Sequence, residues 1–239
     1  MAKRPENDIL GLAALDYLGG KKEATVMIEI DVAGTDLLPV IYLFRNFKSM
    51  PALEKIALNL CRGKILDVGA GTGIHSMWLQ KRGFVIHALD SSAGMVKVME
   101  SRGVKNIHHC MLSDFQQRGF DTILFLMNGI GIAKTLKNLK SILKHAAGLL
   151  NPGGQILIES TNILYVFEQQ DGSYLVPLHN RYYGEVIMKM KYNDLSSQPF
   201  KWIYVDIDTL FSVSKSVGLN AKLITKGSDD NYLACLTIS

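Results

Sequence analysis

Residues 65–73 read ILDVGAGTG, and this stretch decides how the rest of the chain is interpreted. A short apolar run such as 65–68 is typical of a buried parallel strand. The residues from Ile74 to Arg82 have the pattern of a helix, and Gly83 is suited to end it. A glycine-rich turn between a strand and a helix brings backbone N–H groups close to a ligand. The stretch therefore predicts a strand, a ligand-binding turn and a helix.

The spacing of the glycines separates two classes of ligand. The dinucleotide fingerprint is G-x-G-x-x-G, and Ile74 stands where its last glycine is required, so the pattern here is G-x-G-x-G. The phosphate-loop pattern G-x-x-x-x-G-K-[ST] is absent. Asp67 lies two residues before Gly69, where its carboxylate would repel a pyrophosphate. It would suit a ligand that carries an ammonium and a sulfonium group.

Strands and helices alternate around this turn. We predict strands at 64–68, 84–89, 106–112, 120–127 and 155–159, helices at 74–82, 92–101 and 134–150, and a turn at 151–154. Alternation at this spacing predicts βαβ units, and hence a parallel sheet with helices on both faces. A helix near 208–217 and a hairpin of strands at 220–225 and 232–238 follow.

Two segments lie outside this alternation. Residues 1–62 contain a predicted amphipathic helix at 8–18, a strand at 25–32 and a helix that begins at Pro51. The segment from about 161 to 205 interrupts the pattern after the fifth strand, and its alternating run at 182–192 predicts an antiparallel insertion over the sheet edge. We therefore predict an N-terminal lid or extension, 1–62, and a ligand-binding domain, 63–239.

The stretch 65–73 resembles the glycine-rich motif of class I S-adenosylmethionine (SAM)-dependent methyltransferases. In that family an acid stands where Asp67 is, and the acid that ends the second strand, here Asp90, binds the ribose hydroxyls. An acidic residue after the third strand often meets the adenine, and residues 113–115 match it with Asp114 as the acceptor. The Asn-Pro-Gly-Gly turn before the fifth strand is another family feature, so the resemblance covers roughly 63–160.

The resemblance implies a fold and a cofactor site. The fold is α/β, with a seven-stranded, mostly parallel Rossmann-like sheet whose final strand is reversed. The implied SAM-binding residues are Asp67, Gly69, Ala70, Gly71, Gly73, Asp90, Ser91, Met95, Ser113, Asp114, Phe115, Met127 and Asn128. Structural alternatives stay open for several of them: Gly73 can serve helix packing, Met95 the core, and Asn128 a turn at the strand end.

The implied reaction is methyl transfer from SAM to an acceptor. Because the methyl group is already activated, the protein mainly supplies position and orientation, and no catalytic residue can be named. Asn128 is followed by Gly129 and not by the Pro-Pro-Tyr of amino-methylating enzymes, and no Pro-Cys motif for cytosine methylation is present. We expect a small-molecule acceptor. Two alternatives remain: a non-catalytic SAM-binding module, and an NAD(P)-dependent oxidoreductase.

Several other polar residues are candidates for contacts with a substrate or a metal ion. His179, Arg181, Tyr182 and Tyr183 lie in the insertion, where one could orient a substrate, and Arg45 could pair with a carboxylate. His75, at a helix start, is more simply structural. No metal site is expected, because His108 and His109 are adjacent and point to opposite faces of a strand.

Composition narrows the protein class. Of 239 residues, 48% are hydrophobic, and the formal net charge is +4. The lysines at 134–144 recur at helical spacing, which predicts a solvated helix face rather than a nucleic-acid footprint. The three cysteines show no metal-ligand spacing. No secretory signal or apolar run of about 18 residues occurs, so we expect a cytoplasmic protein without a membrane span. The oligomeric state stays open.

Overall fold

The computed structural model describes residues 8–176 and 181–238. Its strands are β1 (Thr25–Ile30), β2 (Gly34–Pro39), β3 (Ile65–Val68), β4 (Ile86–Asp90), β5 (Ile107–His109), β6 (Phe120–Phe125), β7 (Leu150–Thr161), β8 (Glu185–Tyr192), β9 (Leu195–Ser196), β10 (Phe200–Ile203), β11 (Leu219–Lys226) and β12 (Asn231–Ile238). Its helices are α1 (Ile9–Leu18), α2 (Ala52–Leu60), α3 (Ile74–Lys81), α4 (Ala93–Ser101), α5 (Leu136–Leu149) and α6 (Ile207–Ser216).

The main sheet has seven strands in the order β11-β12-β7-β6-β3-β4-β5. The five strands from β7 to β5 are parallel. The last strand, β12, runs antiparallel to both of its neighbours, β7 and β11. The predicted α/β class and mostly parallel sheet are therefore confirmed.

Hydrophobic side chains cover both faces of the main sheet. Successive strand residues point to opposite faces, so Leu66 and Ile123 pack with α5 and α6, whereas Ile65 and Leu124 pack with α2 and α3. These four side chains are fully buried. Helices thus lie on both faces, and the parallel pairing of the strands places the carboxyl ends of β3, β4 and β6 at one edge.

A second sheet joins two segments that are distant in the sequence. It has the order β10-β8-β1-β2, and β9 pairs with β8. Strand β1 of the N-terminal extension pairs antiparallel with β8 of the insertion, with Met27 opposite Lys191. The two segments outside the βαβ alternation therefore form one antiparallel layer.

Two local predictions differ from the structure. The predicted turn at 151–154 lies inside β7 as a bulge, because Phe120 pairs with Leu150 and Thr122 already pairs with Gln155. The amide of Asn151 donates to Asp121 over 2.9 Å, which holds the bulge to the neighbouring strand. The predicted third strand, 106–112, is shorter because residues 112–114 form a 3-10 helix.

None of the helices within the described ranges is long and apolar enough to span a membrane.

Candidate active site

A cavity of about 700 Å³ lies at the carboxyl ends of β3, β4 and β6. The glycine turn after β3 forms one side of it through Gly69, Ala70 and Gly71. All three glycines of the turn have positive φ: 70° at Gly69, 57° at Gly71 and 80° at Gly73. Only glycine adopts these angles without a steric penalty. The sequence G-x-G-x-G therefore gives the turn its shape.

Asp67 lies at the base of the cavity and is only 2% exposed. The hydroxyl of Ser76, in α3, donates to its Oδ2 over 2.7 Å. Burial raises the pKa of Asp67, since a charged carboxylate loses its hydration there. A cationic ligand group would restore the stabilisation that this carboxylate lacks.

Asp90 ends β4 and faces the cavity. Its Oδ2 accepts the N–H of Gly71 over 2.8 Å, and its Oδ1 accepts the N–H of Ser92 over 2.8 Å. Each carboxylate oxygen can accept a further hydrogen bond. Asp90 is thus fixed by two backbone donors and still able to receive ligand hydroxyls.

The second sheet and the N-terminal segment cover the cavity. Leu10, Leu38 and Leu43 reach it from the N-terminal segment, and Met190, Phe200 and Trp202 reach it from the insertion. The ring of Trp202 lies against Gly131, where an added Cβ would meet it at 2.0 Å. Apart from Lys201, the cover is apolar, in contrast to the carboxylates at the base.

Asp8 attaches α1 to α4 at the edge of this cover. Its carboxylate accepts the N–H of Gly11, at the start of α1, over 3.1 Å. It also accepts the hydroxyl of Ser92 over 2.6 Å and the N–H of Gly94 over 2.8 Å, at the start of α4. The helices approach closely there, because a Cβ at Gly94 would lie 2.6 Å from the carbonyl carbon of Gly11.

A buried charge cluster lies beside Asp67. Glu54, which is 1% exposed, pairs with the guanidinium of Arg45 and with Nε2 of His75, the latter over 2.7 Å. These partners lower the pKa of Glu54 against the opposing effect of burial. Within the described ranges, no group of three or more His, Cys, Asp or Glu side chains is placed to hold a metal ion.

Comparison with known proteins identifies this arrangement. A family model described as a methyltransferase domain matches residues 65–154. A SAM-dependent methyltransferase from Bacteroides fragilis, solved with S-adenosyl-L-homocysteine (SAH), is 39% identical to this chain. That alignment covers 99% of this chain and 97% of the other, with a TM-score of 0.92.

The chain belongs to the SAM-dependent methyltransferases. SAM is the cofactor of this family of enzymes. The curated relatives match over shorter lengths. A demethylmenaquinone methyltransferase from Tropheryma whipplei is 28% identical over 100 residues, and the glycine N-methyltransferase of Mus musculus is 27% identical over 125 residues. The chain spans 40% and 42% of the length of these two proteins.

The methyltransferase brings most of the predicted cofactor residues to the cavity. Those that line it are Asp67, Gly69, Ala70, Gly71, Asp90, Ser91, Met95, Ser113 and Met127. The cavity offers carboxylates and backbone amides on its β3 and β4 sides and mainly apolar side chains above, and this donor set fits a ligand with the cationic groups and hydroxyls of SAM.

Two predicted residues lie in the protein interior instead. Phe115 is 5% exposed and packs edge-on against His108 in the main core, so its ring is not available to stack on adenine. Gly73 begins α3, and an added Cβ there would lie 2.8 Å from Val104 and 3.1 Å from Met99. The structure therefore supports the packing alternative for Gly73.

Two further predicted residues lie beside the cavity without lining it. Asp114 is exposed, and its Oδ1 accepts the neighbouring Ser113 hydroxyl over 3.2 Å. Asn128 has a φ of 56°, and its Oδ1 accepts the hydroxyl of Thr161 over 3.0 Å. Asn128 thus shapes the end of β6, as the turn alternative proposed.

The other candidates have partners of their own. Arg45, for which a carboxylate partner was one possibility, pairs with the buried Glu54. Arg181 pairs with Asp31 over 2.7 Å at the surface. The hydroxyl of Tyr183 donates to Asn162 over 2.7 Å, and that of Tyr182 donates to Asp206. His179 lies outside the described residues.

Local sequence patterns do not indicate the Glu54–His75 pair or the buried Glu159. His75 lines the cavity although it was expected to be structural. Glu54 and His75 lie in two helices, 21 positions apart. A carboxylate as buried as that of Glu54 needs a cationic partner. The sequence does not show that Glu54 is buried, because this depends on which face of its helix packs against the rest of the protein.

Proposed function

We propose that this methyltransferase transfers the methyl group of SAM to a small-molecule acceptor within the cavity. The observation that carries the proposal is the position of Asp90. Its carboxylate is held by the glycine turn and faces the cavity, which suits two ribose hydroxyls. Asp67, buried at the base, suits the cationic part of the methionine group.

SAM supplies an activated methyl group, and displacement at that carbon runs in line with the sulfur. The chain's own contribution is orientation: the turn at 69–71 and Asp90 hold the ligand, and the apolar cover excludes water. We propose cofactor roles for the lining residues named above, and the role of a lid for the N-terminal extension, 1–62.

The cover over the cavity favours a small acceptor over a macromolecule. Leu38, Phe200 and Trp202 cover part of the cavity, so a polymer that entered deeply would have to displace the second sheet. The curated relatives are also named for small acceptors, a demethylmenaquinone and glycine.

Calorimetric titration of SAM, SAH and NADH into the wild-type protein tests the proposal. We expect saturable binding of SAM and SAH and none of NADH. A screen of small acceptors with SAM that carries a radiolabelled methyl group then tests transfer. Binding of NADH without SAM or SAH would overturn the proposal in favour of an oxidoreductase, and SAM binding with no transfer to any acceptor would favour a binding module.

A further inference from the structure

Glu159 is a buried carboxylate at the end of β7, with an exposed fraction of 6%. Its Oε2 accepts the N–H of Met127 over 2.8 Å. The side chain receives no other hydrogen bond from the described residues, and none of them forms an ion pair with it. A buried carboxylate with so few partners is costly unless a ligand compensates its charge.

The charged neighbours of Glu159 belong to a pairing of their own. Because strand residues alternate, Glu159 lies on the same face of the sheet as Leu157, which packs with α2 and α3. Glu54, Arg45 and His75 act on Glu159 from that face, and both Arg45 and His75 pair with Glu54. Among the described residues, Glu159 therefore has no ion-pair partner of its own.

Glu159 also adjoins the cavity wall. Met127, whose N–H it accepts, lines the cavity and has a φ of 55°. Its neighbour Asn128 has a φ of 56° and is held by Thr161. Two successive non-glycine residues in the left-handed region are unfavourable unless surrounding contacts hold them. Glu159 and Thr161, both in β7, hold this turn against the cavity.

We propose that Glu159 recognises the positive charge of the methyl donor and makes the cavity prefer SAM over SAH. This inference rests on the proposed function. In the transfer, the bond between sulfur and the methyl carbon breaks, its electron pair stays on sulfur, and the acceptor atom forms the new bond to the methyl group. The sulfonium becomes a neutral thioether, so Glu159 loses its counter-charge at that step and the product is released more readily.

The test compares SAM, SAH and sinefungin, an analogue with an ammonium group in place of the sulfonium, in wild type and Glu159→Gln. The glutamine keeps the size of the side chain and an oxygen that can accept from Met127. We expect affinity for SAM and sinefungin to fall about tenfold, because a buried unit charge acts strongly over a few ångströms. Affinity for SAH should stay within about twofold of wild type.

Thr161→Val is the matched control, because it removes the hydrogen bond from Thr161 to Asn128, in the same turn, without changing the charge. We expect it to alter SAM and SAH affinity by the same factor. Glu159→Asp, which keeps the charge, should retain the preference for SAM and serves if the glutamine variant does not fold.

Equal losses for SAM and SAH in Glu159→Gln would reduce Glu159 to a structural role and overturn the inference. An unchanged preference for SAM in Glu159→Gln would also overturn the inference. The proposed function would stand in that case, because SAH would still bind. Failure of wild type to bind either compound would instead overturn the proposed function itself.

Discussion

The backbone N–H of Gly71 donates to Oδ2 of Asp90 over 2.8 Å. This bond joins the glycine turn after β3 to the carboxylate that ends β4. The second oxygen of Asp90 is held by Ser92, at the start of α4. One side chain thus sets the shape of the turn and presents two acceptors to the cavity.

Replacement of Asp90 by alanine should lower the affinity for SAM and for SAH about a hundredfold. Two hydrogen bonds to a charged acceptor contribute about 3 kcal/mol together, or about a hundredfold in affinity. Calorimetric titration measures the loss. Asp171→Ala removes an exposed carboxylate that contacts Ser173 and should bind both ligands as wild type does. Retained affinity in Asp90→Ala would exclude Asp90 from ligand binding.

Replacement of Gly69 by alanine should weaken SAH binding and destabilise the fold. Its φ of 70° is unfavourable for alanine by about 1–2 kcal/mol. Gly20→Ala is the control, since Gly20 also has a positive φ, 113°, and open space around it, but does not line the cavity. The unfolding temperature should fall in both variants, whereas the affinity for SAH should fall only in Gly69→Ala. An equal loss of SAH affinity in the two variants would show that the turn has no particular part in binding.

Replacement of Asp8 by alanine should release α1 from α4 and weaken cofactor binding. The variant loses a helix cap and the bonds to Ser92 and Gly94, a cost of about 2 kcal/mol. Leu10, which lines the cavity, would shift with α1. Stopped-flow measurements should show faster release of SAH.

Asp206→Ala is the comparison for Asp8→Ala. Asp206 caps α6 through the N–H of Thr209 over 2.9 Å, and it does not line the cavity. We expect a similar loss of stability without a change in SAH release. If both variants release SAH at the wild-type rate, α1 does not control access to the cavity.

The contribution of His87 should make the protein less stable as the pH is lowered from 6.5 towards 4. Burial is the main cause that lowers the pKa of His87 to about 4, from its ordinary value near 6.5. Between these values the unfolded chain binds a proton that the native protein excludes, so acid favours unfolding. Burial lowers the pKa of His108 as well, and its Nε2 lies 2.8 Å from Nδ1 of His87.

Urea unfolding at pH 7 and pH 5 checks this dependence. His87→Gln removes one titrating group, so its midpoint should change less between the two pH values than that of wild type. His145→Gln is the control, because the ring of His145 lies 3.0 Å from the carbonyl oxygen of Phe115 and takes no part in the His87–His108 contact. A wild-type-like pH dependence in His87→Gln would mean that His87 does not cause the acid sensitivity.

Local patterns allowed the sheet and much of the cavity to be predicted. The turn at 69–73 and the carboxylates Asp67 and Asp90 are fixed by their positions at the ends of β3 and β4. Carboxyl ends of parallel strands meet at one edge, so residues that are close to strand ends along the chain are also close in space.

The end of the third strand shows where local patterns are insufficient. The family resemblance implies that Phe115 and Asp114 lie at the adenine, and it does so from their sequence position alone. The 3-10 helix at 112–114 turns Phe115 into the core, where it packs against His108, and leaves Asp114 exposed. Packing of an aromatic ring depends on which side chains arrive from other strands, and a single strand does not contain that information.

Local patterns suffice to predict the strand–glycine turn–helix unit, the parallel sheet and the two carboxylates at the cavity, because these depend on neighbouring residues and on a repeating spacing. The pairing of β1 with β8, and the gathering of Arg45, Glu54, His75 and Glu159 in one buried cluster, follow only from the folded chain. Strand pairing and the compensation of buried charge act between segments far apart in the chain. Their partners are selected by the closed core and not by local conformational preference.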